Sequence, residues 1–254
     1  MSVVDTLAYG VRTAGVYMRR LAISLSLFNI LVTFSRLSNM IQAPFLGRMA
    51  DDVDQGLYTS DKVLVGLRID LLLIILGVVT GAILMPTFVR LARRGIEVLE
   101  KKGNLAGTAF YGLSRVWRFP HYWSLPINQL KGLTDLGSIP YNFLIWNIFV
   151  TCFYSIGVMS TVLAASWDHS VSGTCILLSG IVNGIATMLL FIVVDPPSAI
   201  VVDKCINGER PVRDALVLNM YLVATRLVGT ALAVVALPFM ARYVLTVAHW
   251  VKGI

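Results

Sequence analysis

Charge is scarce in this sequence. Asp, Glu, Lys and Arg supply only 14% of its 254 residues against 57% apolar types, and the mean hydropathy is +0.77. A soluble globular domain does not carry that balance, so the chain reads as an integral membrane protein. Cysteine is sparse as well: Cys152, Cys175 and Cys205 stand far apart, at a spacing that builds neither a zinc site nor a disulfide framework, and they read as packing residues. His121, His169 and His249 lie in separate segments and offer no paired ligand geometry, which argues against a metal. The sequence also lacks an aspartate-rich magnesium motif, a nucleophile with a base beside it, a P-loop and a nucleotide fingerprint. These gaps argue against an enzyme and against any cofactor, and nucleic acid is not expected as a partner.

What the chain has in quantity is long apolar runs. They fall near 21–45, 66–90, 139–166, 172–194 and 216–240, each of roughly 20 residues or more, enough to cross a hydrocarbon core of about 30 Å. The fold expected is all-α: a polytopic transmembrane helix bundle of five full spans in a single integral membrane domain, 1–254. Residues 1–20 carry Asp5, Arg12, Arg19 and Arg20 among apolar positions, too short and too charged to span alone, and read as a half-span or interfacial helix. No small-residue cleavage site follows, so this segment is expected to stay on the protein. Asp195-Pro196-Pro197 is expected to break the helix of the fourth span, because two prolines remove successive backbone donors. Gly180 and Gly184 form a small-xxx-small pair suited to close helix packing. No internal repeat is visible, which gives no support to an inverted-repeat transporter.

The net charge of +7 is unevenly placed. Arg90, Arg93, Arg94, Lys101, Lys102, Arg115, Arg118 and Lys131 crowd one connection, whereas the loop holding Asp51, Asp52, Asp54 and Asp61 offers Arg48 and Lys62. Lysine and arginine near span ends tend to stay cytoplasmic, so 91–138 is expected to be a long basic inner loop, and the Trp167-Asp168-His169 turn an outer one. Apolar residues interleave with those cations, which predicts amphipathic helices on the inner leaflet and an attraction to anionic membrane lipids.

Against this background Ser35-Arg36-Leu37-Ser38-Asn39-Met40-Ile41-Gln42 stands out, because it sets a cation and two amides inside an apolar run. A charge at bilayer depth costs roughly 2.5–3.5 kcal/mol even on lenient scales, and such residues usually face a protein interior or a wet cavity. On a helix Asn29, Arg36 and Asn39 share an arc of about 80°, which Gln42 widens to about 140°. Two readings stand: donors awaiting an anionic headgroup, or an arginine paired to a carboxylate on another span with the amides bonding helix to helix. The last span repeats the pattern with Asn219, Arg226 and Thr230. Asp5, Arg12 and Asp195 are the candidate ion-pair and supporting residues, and Asp5 becomes a buried partner for Arg36 or Arg226 if the start lies further upstream and Asp5, Tyr9 and Arg12 belong to the inner half of a full first span.

The block Leu7-Ala8-Tyr9-Gly10-Val11-Arg12-Thr13-Ala14-Gly15-Val16, with Ser24-Leu25-Ser26-Leu27-Phe28-Asn29 and Ser35 through Gly47, resembles the Amj family, bacterial lipid II flippases that act as an alternate to MurJ. Val194-Asp195-Pro196 and Arg226-Leu227-Val228-Gly229-Thr230 are similar to that family too. Six spans are expected of the family, with an apolar stretch ahead of the position of Asp5. Here either the start lies further upstream or the first helix is short. The resemblance implies transport of lipid II, the undecaprenyl-pyrophosphate-linked disaccharide-pentapeptide, across a multi-pass bacterial cytoplasmic membrane for peptidoglycan synthesis, cell-wall biogenesis and cell shape, with cell-wall synthesis enzymes as protein partners. The substrate-binding residues expected are Arg36, Asn39, Gln42, Arg226 and Asn29. The alternative is a transporter or channel for another anionic or lipid-linked substrate, and a scaffold for cell-wall enzymes is a third reading.

Overall fold

The computed structural model describes residues 1–103 and 141–253. Among them the architecture is all-helical, and five helical runs are long and apolar enough to cross a membrane. The helices are α1 (Ser2–Met18), α2 (Leu21–Asp54), α3 (Ser60–Lys102), α4 (Tyr141–Trp167), α5 (Ser172–Leu189), α6 (Asp195–Ile206) and α7 (Val212–Lys252). A π-helical turn, Leu190–Val194, joins α5 to α6. Helix α3 runs on to Lys102, into the stretch read as the start of the long loop. The inner-surface helices expected beyond it lie outside the described residues.

The chain forms two compact units, and α2, α3 and α7 each contribute to both. The first gathers Met1–Ser35, α3 from Gly77, and Pro197–Val223, and α1 is its centre. Thr6, Ala8, Val11, Arg12, Thr13 and Ala14 of α1 are all buried, so this helix is enclosed by its neighbours and does not lie on a surface. Small residues make that enclosure possible. A side-chain carbon added at Gly77 would fall on the Ser2 hydroxyl, and one at Gly81 would sit 2.8 Å from Thr6 Cβ and 3.2 Å from the Val3 carbonyl. Gly77 and Gly81 therefore form the small-xxx-small pair that packs. Gly180 and Gly184, expected in that role, have no described residue within 4 Å of where a Cβ would stand.

A tight turn closes α1 onto α2. Arg19 takes the left-handed conformation (φ 53°), letting its N–H and that of Arg20 donate to the carbonyls of Val16 and Gly15. That conformation is unfavourable for a residue with a Cβ, and the recovered hydrogen bonds offset it. Gly15 then meets Ser24, and Tyr9 packs on Phe28, as in an antiparallel helical hairpin.

The second unit comprises Arg36–Leu76, Tyr141–Pro196 and the chain from Ala224 onward. Its core surrounds α4, where Ile156, Leu163 and Ala164 are buried against Leu67 and Leu71 of α3 and a stripe on α7 of Ala233, Leu237, Ala241, Val244 and Ala248. That spacing follows the helical repeat, and its alanines let backbones approach where lipid supplies no hydrophobic push. Gly229 serves the same end against Thr151 and the Ile148 carbonyl, as does Gly157 against Asn183.

The expected break at Asp195-Pro196-Pro197 is not seen, because α6 follows the π turn without interruption. The Asp195 N–H donates five residues back, to the Leu190 carbonyl. This wider turn gives room to the carbonyl that a proline ring would otherwise strike and absorbs the lost donors, a known use of π turns.

Candidate functional site

The residues singled out in the sequence divide between the two units. Asp5, Arg12 and Asn29 belong to the first, and Arg36, Asn39, Gln42, Asp195 and Arg226 to the second.

In the first unit Arg12 is buried, on the face of α1 that carries Thr13 one residue away and Tyr9 a turn before. Its guanidinium carbon lies 3.7 Å from the centre of the Phe28 ring, and Nη1 donates to Ser198 Oγ at 2.6 Å. A desolvated cation over an aromatic face gains about 2 kcal/mol, which offsets part of the burial. Asn219 at the start of α7 donates to the Tyr9 carbonyl at 2.8 Å and also bonds to the Thr13 hydroxyl. Asp5 is buried on α1. Asn29 lies on the exposed side of α2, and its carbonyl accepts from Thr33 Oγ1. Here polar groups knit α1 to α2, α6 and α7.

The second unit treats its cation differently. Arg36 is only half-buried, and its guanidinium carbon stands 4.7 Å from the centre of the Phe191 ring, on the π turn. Among the described residues no carboxylate lies within ion-pair distance of it. A cation held over a ring by the π face keeps its N–H donors for a second partner, since the ring accepts no ordinary hydrogen bond from them. Gln42 is half-buried further along α2, and the Asn39 side chain lies outside the described residues. Arg226 is half-buried on α7, its carbonyl accepting from the buried Thr230 hydroxyl at 2.9 Å. Asp195 is half-buried at the first position of α6. Asn147 of α4 donates to Thr225 Oγ1 at 2.7 Å, beside Arg226 in the sequence.

Phe191, Phe28 and Ser198 were not read from the sequence as partners. Phe28 had a signal: once the turn is placed at Arg19-Arg20, an antiparallel hairpin sets Arg12 and Phe28 symmetrically about it. Phe191 and Ser198 come from far along the chain and had none. The three cysteines are free and buried, as packing residues are. At the turn after α4, His249 Nε2 lies 2.7 Å from Asp168 Oδ2, and His169 Nδ1 lies 2.5 Å from Asp54 Oδ2.

A helical, multi-pass membrane protein with arginines set into its apolar runs is the class these features define. Within that class the chain belongs to the family described as Amj, Alternate to MurJ, whose model matches residues 1–248. It is 34% identical over 253 residues to the "Lipid II flippase Amj" of Bacillus subtilis (strain 168), a match that covers 97% of this chain and 92% of that protein. No solved structure matches the chain.

Proposed function

We propose that this protein is a lipid II flippase of the bacterial cytoplasmic membrane, carrying the undecaprenyl-pyrophosphate-linked peptidoglycan precursor from the inner to the outer leaflet. Family membership and the similarity to the Bacillus subtilis flippase set the substrate class. The observation that carries the reading is Arg36: a half-buried guanidinium in an apolar run, facing Phe191, with no carboxylate partner among the described residues.

The work of a flippase is to move a pyrophosphate and sugars through a medium that solvates neither. An unpaired polar or charged group in hydrocarbon is strongly disfavoured, so fixed donors must replace water as the headgroup passes. Arg36 supplies planar donors that match phosphate oxygens, Asn39 and Gln42 add amides from the same helix, and Arg226 adds a second cation. Asn29, on the exposed side of α2, offers a further amide for an anionic headgroup. The isoprenoid tail stays in the bilayer throughout. An inside-negative potential favours outward movement of an anion by about 2.3 kcal/mol per charge per 100 mV, so nucleotide hydrolysis is not required if the carrier resets unloaded. No bond is made or broken in this cycle, which suits a transporter without catalytic groups.

The test is complementation in cells depleted of every other lipid II flippase. The parent chain should restore growth, and Arg36→Ala and Arg226→Ala, inserted at parental levels, should not, while Arg36→Lys should restore it in part. Parental growth with both alanine variants would remove the arginines from the mechanism.

A further inference from the structure

The second unit holds an apolar groove of about 370 Å³ between α4, α5 and α7. Its long wall is a stripe on α5, Leu178, Ile181, Ile185 and Leu189, with Val182 and Ala186 filling the helical repeat between them. A second stripe on α7 runs through Met240, Tyr243 and Val247, and Phe153 of α4 closes the side. Every lining side chain is hydrocarbon, thioether or ring, and the Tyr243 hydroxyl is the one polar side-chain group among them. Ile181, Ile185 and Tyr243 are more than half exposed, so the groove opens to whatever surrounds the helices.

Its position gives it meaning. The α5 wall spans about 16 Å at 1.5 Å per residue, ends at Leu189, and is continued at once by the π turn that carries Phe191 under Arg36. One continuous stretch of helix thus presents first a hydrocarbon trough and then a cation that makes no hydrogen bond or ion pair with a described residue. A ligand matching both in sequence has a long apolar chain attached to an anionic group.

We infer that this groove seats the proximal isoprene units of the polyprenyl chain while Arg36 holds the pyrophosphate, so that the protein reads the tail of its substrate as well as the head. This rests on the flippase reading above. The volume lies within the 300–1,000 Å³ range of sites that enclose small ligands, enough for a few branched units and far less than the whole chain. A groove between two helical stripes also favours a flexible single chain over a rigid helix from another protein, which would need a broader trough.

The experiment uses the full-length protein in proteoliposomes, with lipid II bearing its full undecaprenyl chain and an analogue bearing three isoprene units. Ile185→Trp narrows the groove from its open side. It should slow the full-length lipid about tenfold and leave the short analogue within about twofold, since one hydrophobic pocket contact commonly changes discrimination by about 10–200-fold. Leu177→Trp, at a strongly exposed residue of α5 that does not line the groove, should behave as the parent does. A photo-activatable residue at position 185 should capture labelled polyprenyl lipid well above the level seen at position 177. Unchanged rates in Ile185→Trp, equal slowing of both lipids, or capture dominated by phospholipid would each overturn the inference. If the parent flips neither lipid the flippase reading fails, and capture at position 185 still decides the groove.

Discussion

Arg12 and Arg36 pose the same physical problem and are handled in opposite ways. Both sit beside a phenylalanine in a largely apolar helix. Arg12 is sealed inside the first unit, with Ser198 and Phe28 on it, and it ties α1 to two other helices. Arg36 is half-exposed, faces Phe191, has no ion-pair partner among the described residues, and stands where the π turn interrupts the regular helix. An aromatic face therefore does not by itself tell a structural cation from a ligand-binding one. The difference lies in enclosure: Arg12 is buried and donates to Ser198, whereas Arg36 is half-exposed and makes no hydrogen bond to a described residue.

The comparison can be broken at the helix that encloses Arg12. Gly81→Leu should have the largest effect, because its side chain would meet both the Thr6 side chain and the Val3 backbone, which cannot both withdraw. Overpacking of this kind costs about 3 kcal/mol or more, and the variant should unfold earliest in a thermal scan in detergent. Next comes the direct contrast. Arg12→Ala should lower stability by about 2–4 kcal/mol through the cavity and lost contacts it leaves, whereas Arg36→Ala should change stability by less than about 0.5 kcal/mol. Equal melting shifts in the two variants would end the distinction drawn between them.

The smallest expected effect lies outside the spans, at the turn after α4. Hydrogen bonds from Ser170, then His249, hold the Asp168 carboxyl down to about 2. A carboxyl lowered in the folded state adds stability that is fully present above its ordinary value near 3.9 and is lost as pH falls toward 2. Because the group is partly open to solvent, the step is small. Melting followed from pH 5 to pH 2 should show it in the parent and not in Asp168→Asn.

Most of the helical framework was legible in the sequence, because hydrocarbon forces every spanning backbone to satisfy itself and only long apolar helices do so. The five long runs and the short helix ahead of them follow from that rule. The interior place of α1 did not, since its arginines and aspartate looked suited to a surface until Phe28, Ser198 and Asn219 were brought around them. The helix break at the prolines was misread because residue-level rules treat α-geometry as the one alternative to a break. Glycine pairs read alike in sequence: Gly77 and Gly81 meet α1, while Gly180 and Gly184 meet none of the described residues, and neighbours supplied by distant segments decide which is which. Arg36 was legible as costly. Its partner Phe191, from another part of the chain, was not.

The alanine-bearing stripe of α7 carries a consequence for how this sequence can change over generations. On the side of Ala233, Ala241 and Ala248 each added methyl group displaces a packed neighbour, so substitution there is nearly closed. On the opposite side, Val235, Phe239 and Trp250 face outward, and one apolar residue is about as good as another. A single helix thus carries a frozen margin and a freely drifting one, and divergence along it should rise and fall with the helical turn.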